Sequence, residues 1–483
     1  MKNFKKKEVR FNFEKWFGNK AFIISMFSLF LPAALQSLIT TSVIYVDNFF
    51  IAAYADAGTI AKTSIGVATS VINFPTMVII GTLTGIGVMT SQYYGSKNNN
   101  HLHQTITIKL IMGLLLSVPI MLLLMLMPKD IIEASSGIDK NSLDPEQKLQ
   151  NQLTEEYLFW SALTFIPMAL AMSLSFSFKE TKRPKIALLA AFIAIASNII
   201  MDPLLVINSS GDLESVRNIA LSTFGARCIE FVVLLCFIIF NKKDILRISN
   251  WRIQLSLFKN VMKNSWQPIL NDSLYGFATL FLIVCLLRFD TGIHDASTTV
   301  ALIVQFTVII FPGMASSSSV LIGSELGSNN IQQAKDNSKY LIVWGTIICF
   351  IFALILFIFS WFINGVLSPN ASAESLKLTQ EMEWVMMPII LSQGIFSILY
   401  FAIRAGGSKF VFFTDGLIMS IWCIIFGALT LTHSLKGLNP LLYFFLLEFN
   451  QIAKMILSFF IYKYTNWARN ITNDSKSVTV QTN

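Results

Sequence analysis

Apolar runs long enough to cross a bilayer recur along nearly the whole chain, and this repetition restricts the fold more than any other feature. A helical span needs roughly 20 mainly apolar residues. Runs of that order occupy 22–54, 62–91, 106–127, 157–178, 185–207, 217–240, 261–288, 297–323, 340–366, 385–403, 410–433 and 440–462. Composition excludes a soluble alternative: with 54% hydrophobic and 13% charged residues over 483 positions and a mean hydropathy of +0.61, too few charges remain to surround ordinary soluble cores. The expected fold is an all-α polytopic membrane protein with twelve transmembrane helices.

Basic residues predict how the spans are oriented. Short segments rich in Lys and Arg stay on the cytoplasmic side. Here they recur at alternate connections: Lys5 to Lys7 with Arg10, Lys179 to Lys185, Lys242 to Lys263, Lys335 with Lys339, and Lys463 with Arg469. The intervening segment 129–156 is acidic, and with an even number of spans both termini are expected in the cytoplasm, in a multi-pass protein of the cell membrane. The net charge of +8 and pI near 9.1 are read as topology and attraction to anionic headgroups, with no nucleic-acid partner. The first run is too long for a cleavable signal peptide. Cys228, Cys236, Cys285, Cys349 and Cys423 fall within spans with no CxxC pair, so they read as small apolar fillers.

The spans divide six and six. A basic, amphipathic stretch at 241–260 suits a linker lying on the membrane surface. The expected organisation is a cytoplasmic segment 1–20, a six-helix lobe 21–240, the linker 241–260, a second lobe 261–463 and a cytoplasmic tail 464–483. Weak internal echoes support duplication. Ser91-Gln-Tyr-Tyr-Gly-Ser-Lys-Asn follows the second span as Gly323-Ser-Glu-Leu-Gly-Ser-Asn-Asn follows the eighth, and Phe176-Ser-Phe-Lys179 is echoed by Phe401-Ala-Ile-Arg404. Halves with an even number of spans share an orientation, so the two lobes are expected to be pseudo-symmetric about an axis along the membrane normal, with substrate between them.

Two carboxylates inside apolar runs mark the candidate site. Asp47 lies in the first span and Asp202 in the fifth, with Asn198 one turn before Asp202. An ionisable group at membrane depth costs several kcal/mol, roughly 2.5–3.5 on insertion scales, and is tolerated where it faces a cavity, a partner or an ion. Residues four apart share a helix face, so Asn198 and Asp202 can present a carbonyl oxygen and a carboxylate to one point. Hard cations prefer such oxygen ligands, which makes Na⁺ at Asp47, Asn198 and Asp202 one reading. In the other, two nearby carboxylates in a low dielectric repel each other and lose hydration, so that the pair carries a proton. Pro32 removes a backbone hydrogen bond within the first span and is a candidate hinge. Arg227 and Glu230, three apart on one helix, read as a structural ion pair. No phosphate loop of the GxxxxGK[ST] type is present, and the serine run 316–319 has no accompanying base, so neither ATP hydrolysis nor other enzyme chemistry is expected. The pair His101 and His103 offers too few ligands for a metal site.

The segments Leu31-Pro-Ala-Ala-Leu-Gln, Val46-Asp-Asn-Phe-Phe-Ile-Ala, Gly85-Ile-Gly-Val-Met-Thr-Ser-Gln-Tyr-Tyr-Gly and Asn198-Ile-Ile-Met-Asp-Pro resemble the multidrug and toxic compound extrusion (MATE) family, bacterial type. So do Gln267-Pro-Ile-Leu-Asn-Asp, Gly323-Ser-Glu-Leu-Gly and Arg404-Ala-Gly-Gly-Ser-Lys, in the same order along nearly the whole chain. The resemblance implies a secondary active exporter of two six-helix lobes, monomeric and without a cofactor, that expels amphiphilic organic cations against Na⁺ or H⁺ by alternating access. It also implies a cation site at Asp47, Asn198 and Asp202, joined by Thr223 on the sixth helix. Asp272 stands where the family more usually has glutamate, and either it or Asp415 is a possible second protonatable group, in the second lobe. Lys182 stands where the family often has glycine. The alternative is a lipid-linked oligosaccharide flippase of the same superfamily, for which Arg288 and Lys109 are the main basic candidates, both near span ends. A membrane-embedded enzyme is the remote third reading.

Overall fold

The computed structural model describes residues 13–136, 145–240, 246, 252–289, 300, 309–367, 373–432, 434, 435 and 437–472. The expected basic segment before residue 13, most of the linker's first half and the tail after 472 lie outside the described residues. Among those described there is no strand. In chain order the helices are α1 (Phe13–Phe17), α2 (Lys20–Tyr54), α3 (Gly58–Gly95), α4 (Asn99–Leu126), α5 (Pro128–Ser136), α6 (Pro145–Ser161), α7 (Phe165–Glu180), α8 (Pro184–Val206) and α9 (Asp212–Phe240). They continue with α10 (Leu255–Phe289), α11 (Ile310–Leu321), α12 (Gly323–Gly327), α13 (Ile331–Leu367), α14 (Ala373–Ala405), α15 (Val411–Thr414), α16 (Gly416–Leu431), α17 (Pro440–Glu448) and α18 (Asn450–Tyr464). Among the described residues ten segments are long and apolar enough to cross a membrane. The 35-residue α10 and the part of the 297–323 run that α11 represents supply the remaining two.

Several helices reach beyond their apolar runs. A polar stretch rich in Gln and Glu makes up most of α6, so the span expected from 157 begins at Pro145. Likewise α14 begins at Ala373, ahead of the run at 385, and α10 begins at Leu255, inside the expected linker. Helix propensity and neighbouring helices extend these segments where hydropathy alone stops.

The duplication is written in the helix caps. Two residues beyond the ends of α3, α7, α12 and α14 stand residues with left-handed φ: Lys97 at 56°, Lys182 at 64°, Asn329 at 68° and Gly407 at 60°. At each, the next amide closes a six-residue cap: Asn98 N–H to Tyr93 O at 3.1 Å, Arg183 to Phe178 at 2.9 Å, Asn330 to Glu325 at 2.8 Å and Ser408 to Ile403 at 3.5 Å. This pattern satisfies the last helical carbonyls and favours glycine at the left-handed position. Lys182 and Gly407 occupy matching places, so the departure at Lys182 puts an L side chain where the backbone disfavours one by roughly 1–2 kcal/mol.

The first and fourth helices of each lobe make corresponding contacts. Pro32 precedes Gln36 by four residues on α2, and Gln36 donates to Ser175 Oγ on α7 at 3.0 Å. Pro268 precedes Asp272 by four on α10, and Asp272 Oδ1 accepts from Tyr400 Oη on α14 at 2.9 Å. The lobes meet where α2 packs on α11 and α3 on α10. On α2, Phe22, Met26, Leu29, Phe30 and Ala34 belong to the core of the second lobe, with Met314 and Ile398, whereas Ile51 belongs to the core of the first. Pro32 lies near that changeover, in one continuous helix.

At one end of the bundle the lobes touch through backbone. A Cβ at Gly95 would fall on the backbone of Ser324, and one at Gly327 on the backbone of Gln92. The described part of the segment after α18 packs into this junction: Gln92 donates to Ala405 O at 2.9 Å and accepts from Ile471 N at 2.9 Å, and Trp467 is buried.

Candidate cation-coupling site

α8 packs along both α2 and α9, which brings three polar positions of the first lobe to one place. Asp47 from the C-terminal half of α2, Asn198 and Asp202 from successive turns of α8, and Ser222 from α9 are all buried. Thr223 Oγ1 donates to Asp47 Oδ2 at 3.1 Å. Asn198 Nδ2 donates to Asp202 Oδ1 at 3.2 Å and to Ser222 Oγ at 3.1 Å. The carboxyl groups of Asp47 and Asp202 lie within electrostatic reach of each other. Tyr157 of α6, also buried, lies within electrostatic reach of both and near Thr69 of α3. All four residues predicted from the sequence are therefore brought together, and Ser222 and Tyr157 are added to them.

The donors do not suffice for the acceptors. Asp47 Oδ1, Asn198 Oδ1 and Asp202 Oδ2 are buried without a hydrogen-bond partner. Buried polar atoms are normally paired, and two adjacent carboxylates in a low dielectric repel unless a positive charge lies between them. Two carboxylates and an amide carbonyl form an all-oxygen set, which fits a hard cation. Among the described residues no cluster of three or more His, Cys, Asp or Glu could hold a metal ion. The low carboxylate count suits a monovalent ion, and a proton shared between the carboxyls satisfies the same oxygens.

The second lobe is arranged differently. Asp272 on α10 is half-buried and paired with Arg404 of α14, whose Nη1 lies 3.1 Å from Oδ2 and 3.4 Å from Oδ1. Arg404 also donates to Tyr400 Oη at 2.6 Å and, across the lobe boundary, to Thr84 Oγ1 of α3. Asp415, between α15 and α16, lies 2.8 Å from Lys454 Nζ of α18. Neither acid joins Asp47 and Asp202. Arg227 and Glu230 form the expected ion pair at 2.7 Å. Lys109, read as near a span end, is wholly buried and paired with Glu180. The Arg288 side chain lies outside the described residues. Lys454 was missed although the signal was present, since it stands within the 440–462 run as Asp47 does within the first.

Known proteins place this architecture. A family model described as MatE matches residues 32–204 and 274–429. Similar solved structures include a MOP-superfamily transporter from Pyrococcus furiosus, with 12% identity, a TM-score of 0.79, and 95% of this chain and 98% of that chain covered. A multidrug resistance MATE family transporter in an outward-facing conformation matches with 11% identity, a TM-score of 0.79 and the same coverage. A Vibrio cholerae MATE transporter matches with 15% identity and a TM-score of 0.77, covering 93% of this chain and 98% of that one. No curated protein matches the chain by sequence. The structural matches carry the twelve-helix, two-lobed fold, and the family model spans both lobes: the chain is a multi-pass membrane transporter, not an enzyme, and belongs to the MatE family.

Proposed function

We propose that the protein exports amphiphilic organic cations in exchange for Na⁺ or H⁺, with Asp47, Asn198, Asp202 and Thr223 carrying the coupling ion. The observation that supports this most is the juxtaposition of two buried carboxyl groups, each with one oxygen that lacks a donor. A monocation about 4 Å from one carboxylate gains roughly 4 kcal/mol at an effective dielectric of about 20, before desolvation is subtracted, and a pyrophosphate is repelled by a similar amount. Lys109, Arg404 and Lys454 are each paired with a carboxylate, which leaves none of the three to hold a lipid-linked pyrophosphate. That weighs against the flippase reading.

Proteoliposomes with separately imposed Na⁺ and H⁺ gradients test the proposal. Efflux of a fluorescent organic cation is expected to follow one gradient, and its binding to weaken as that ion is raised, because in an exchanger the two favour opposite states and each lowers the other's affinity by the same factor. Affinity unchanged by Na⁺ and by pH, or tighter binding of an anionic lipid pyrophosphate, is the opposing result.

Pro32 acts in this scheme as the hinge of α2, between a half docked in the second lobe and a half bearing Asp47. Asp47 lies 15 residues beyond it, about 22 Å along the helix at 1.5 Å per residue, so a small bend at Pro32 displaces the site. Pro32→Ala is expected to slow transport several-fold more than it weakens substrate binding. Equal loss of both, or no loss, indicates packing alone.

The termini are proposed to be cytoplasmic, from the alternation of basic connections. Lys129 and Lys335 are both exposed. Cysteines introduced at these positions are expected to react with an impermeant reagent from outside at 129 and not at 335; the reverse pattern inverts the topology.

A further inference from the structure

Lys454 is an ammonium held in the core of the second lobe, and its surroundings are those an amine ligand requires. Its side chain is almost fully buried, with Nζ 2.8 Å from Asp415 Oδ1. It also lies 5.2 Å from the Tyr275 ring centroid and 5.7 Å from that of Phe396. A carboxylate combined with two aromatic faces is a recognised environment for organic ammonium groups. Two features distinguish it from a fully satisfied structural ion pair. The Lys454–Asp415 contact is close but lacks hydrogen-bond alignment, so both atoms remain without a formal hydrogen bond. On the same helix face, Gln451 Oε1 and Ser458 Oγ, one turn before and one turn after Lys454, are buried without partners. Buried polar groups are seldom left so unless something else completes them.

We propose that this aromatic and carboxylate cage is a binding site for the ammonium group of the exported substrate, and that Lys454 occupies it as an intramolecular stand-in when no substrate is bound. The inference rests on the organic-cation reading above and names where in the second lobe that substrate is held. A lysine suits the role because its charge sits on a flexible four-carbon stem. Glu448 also lies within electrostatic reach of Lys454, so the displaced ammonium keeps a carboxylate partner. The site is separate from the coupling pair: Asp47 and Asp202 belong to α2 and α8, whereas the cage is built from α10, α14, α18 and the junction before α16. Export then proceeds with substrate in one lobe and the coupling ion in the other, while Lys454 restores the empty state of the cage after release.

Binding of rhodamine 6G, an amine-bearing fluorescent cation, to the purified full-length protein by fluorescence anisotropy tests this. Lys454→Met removes the internal competitor and is expected to tighten binding about 10-fold, the equivalent of about 1.4 kcal/mol. Asp415→Asn is expected to weaken it by a similar factor, and the double variant Lys454→Met/Asp415→Asn, which leaves no buried charge unpaired, to lose the tightening. Thermal melts of the same samples identify a variant that has failed to fold, for which the double variant and Lys454→Arg stand in. Lys454→Arg keeps the internal cation and is expected to show no tightening. The tightening is also expected in an Asp47→Asn background, which disables coupling but not the cage. Wild-type binding with no change in Lys454→Met, or tightening that persists in the double variant, overturns the cage while leaving the organic-cation reading in place. Failure of the wild type and every variant to bind the cation overturns both.

Discussion

Asp47→Asn is expected to reduce ion-driven efflux by a factor on the order of 100 or more, corresponding to a loss of about 2.7 kcal/mol, while the protein inserts and folds normally. Asparagine has nearly the shape of aspartate, and its carbonyl oxygen can still accept the hydrogen bond from Thr223. Its amide can also donate to the neighbouring Asp202 carboxylate, which removes a like-charge contact from the interior. Thermal stability should therefore stay level or rise. What asparagine cannot do is gain and lose a charge at neutral pH, so the oxygen set no longer alternates between an ion-loaded and an ion-free state. Asp202→Asn should behave in the same way. Thr223→Ala, which deletes one neutral hydrogen bond worth about 0.5–1.5 kcal/mol, should lower transport by no more than about 10-fold. The measurement is counterflow and gradient-driven transport in proteoliposomes containing equal amounts of each variant, with a melt of each sample alongside. Undiminished efflux by Asp47→Asn sinks the assignment, and lost efflux with lost folding requires Asp47→Glu as the discriminating variant.

The membrane fold was legible because hydropathy accumulates along a span and does not depend on the partner helix. The same property made Asp47 and Asp202 visible, since each interrupts an apolar run, and Asn198 followed from helical spacing alone. Ser222 and Tyr157 left no comparable mark. Serine and tyrosine are ordinary in membrane helices, and only the packing of α8 on α9 and the placement of α6 bring these two to the site. Lys182 was recognisable through the family resemblance as standing where glycine is frequent, and its left-handed φ gives the physical reason. The surroundings of Asp272 were illegible for a different reason. Asp272 and its partner Arg404 are 132 residues apart, and nothing in local sequence pairs them.

Breaking that pair should produce the largest stability effect in the protein. Arg404→Met is expected to destabilise the fold by about 3–5 kcal/mol, because removing one member of a buried ion pair leaves the other charge uncompensated. Asp272 would retain only Tyr400 and Asn271 as neutral donors, at 2.9 and 3.1 Å. Arg404→Lys should recover little of the loss, since a single ammonium cannot reproduce contacts to both Asp272 oxygens, to Tyr400 and to Thr84 at once. The double variant Arg404→Met/Asp272→Asn removes both charges and should regain most of the stability, as buried pairs replaced by well-packed neutral groups often do. Because Thr84 belongs to the first lobe and Arg404 to the second, part of the effect should appear as a loosened lobe boundary, detectable as faster hydrogen exchange along α3 near Thr84 in Arg404→Met. Denaturation of the wild type, Arg404→Met, Asp272→Asn and the double variant in one detergent supplies the double-mutant cycle. If Arg404→Met lies within about 1 kcal/mol of the wild type, the range left to exposed pairs, Asp272 is neutral in the fold without its arginine and must be reconsidered as a proton carrier of the second lobe.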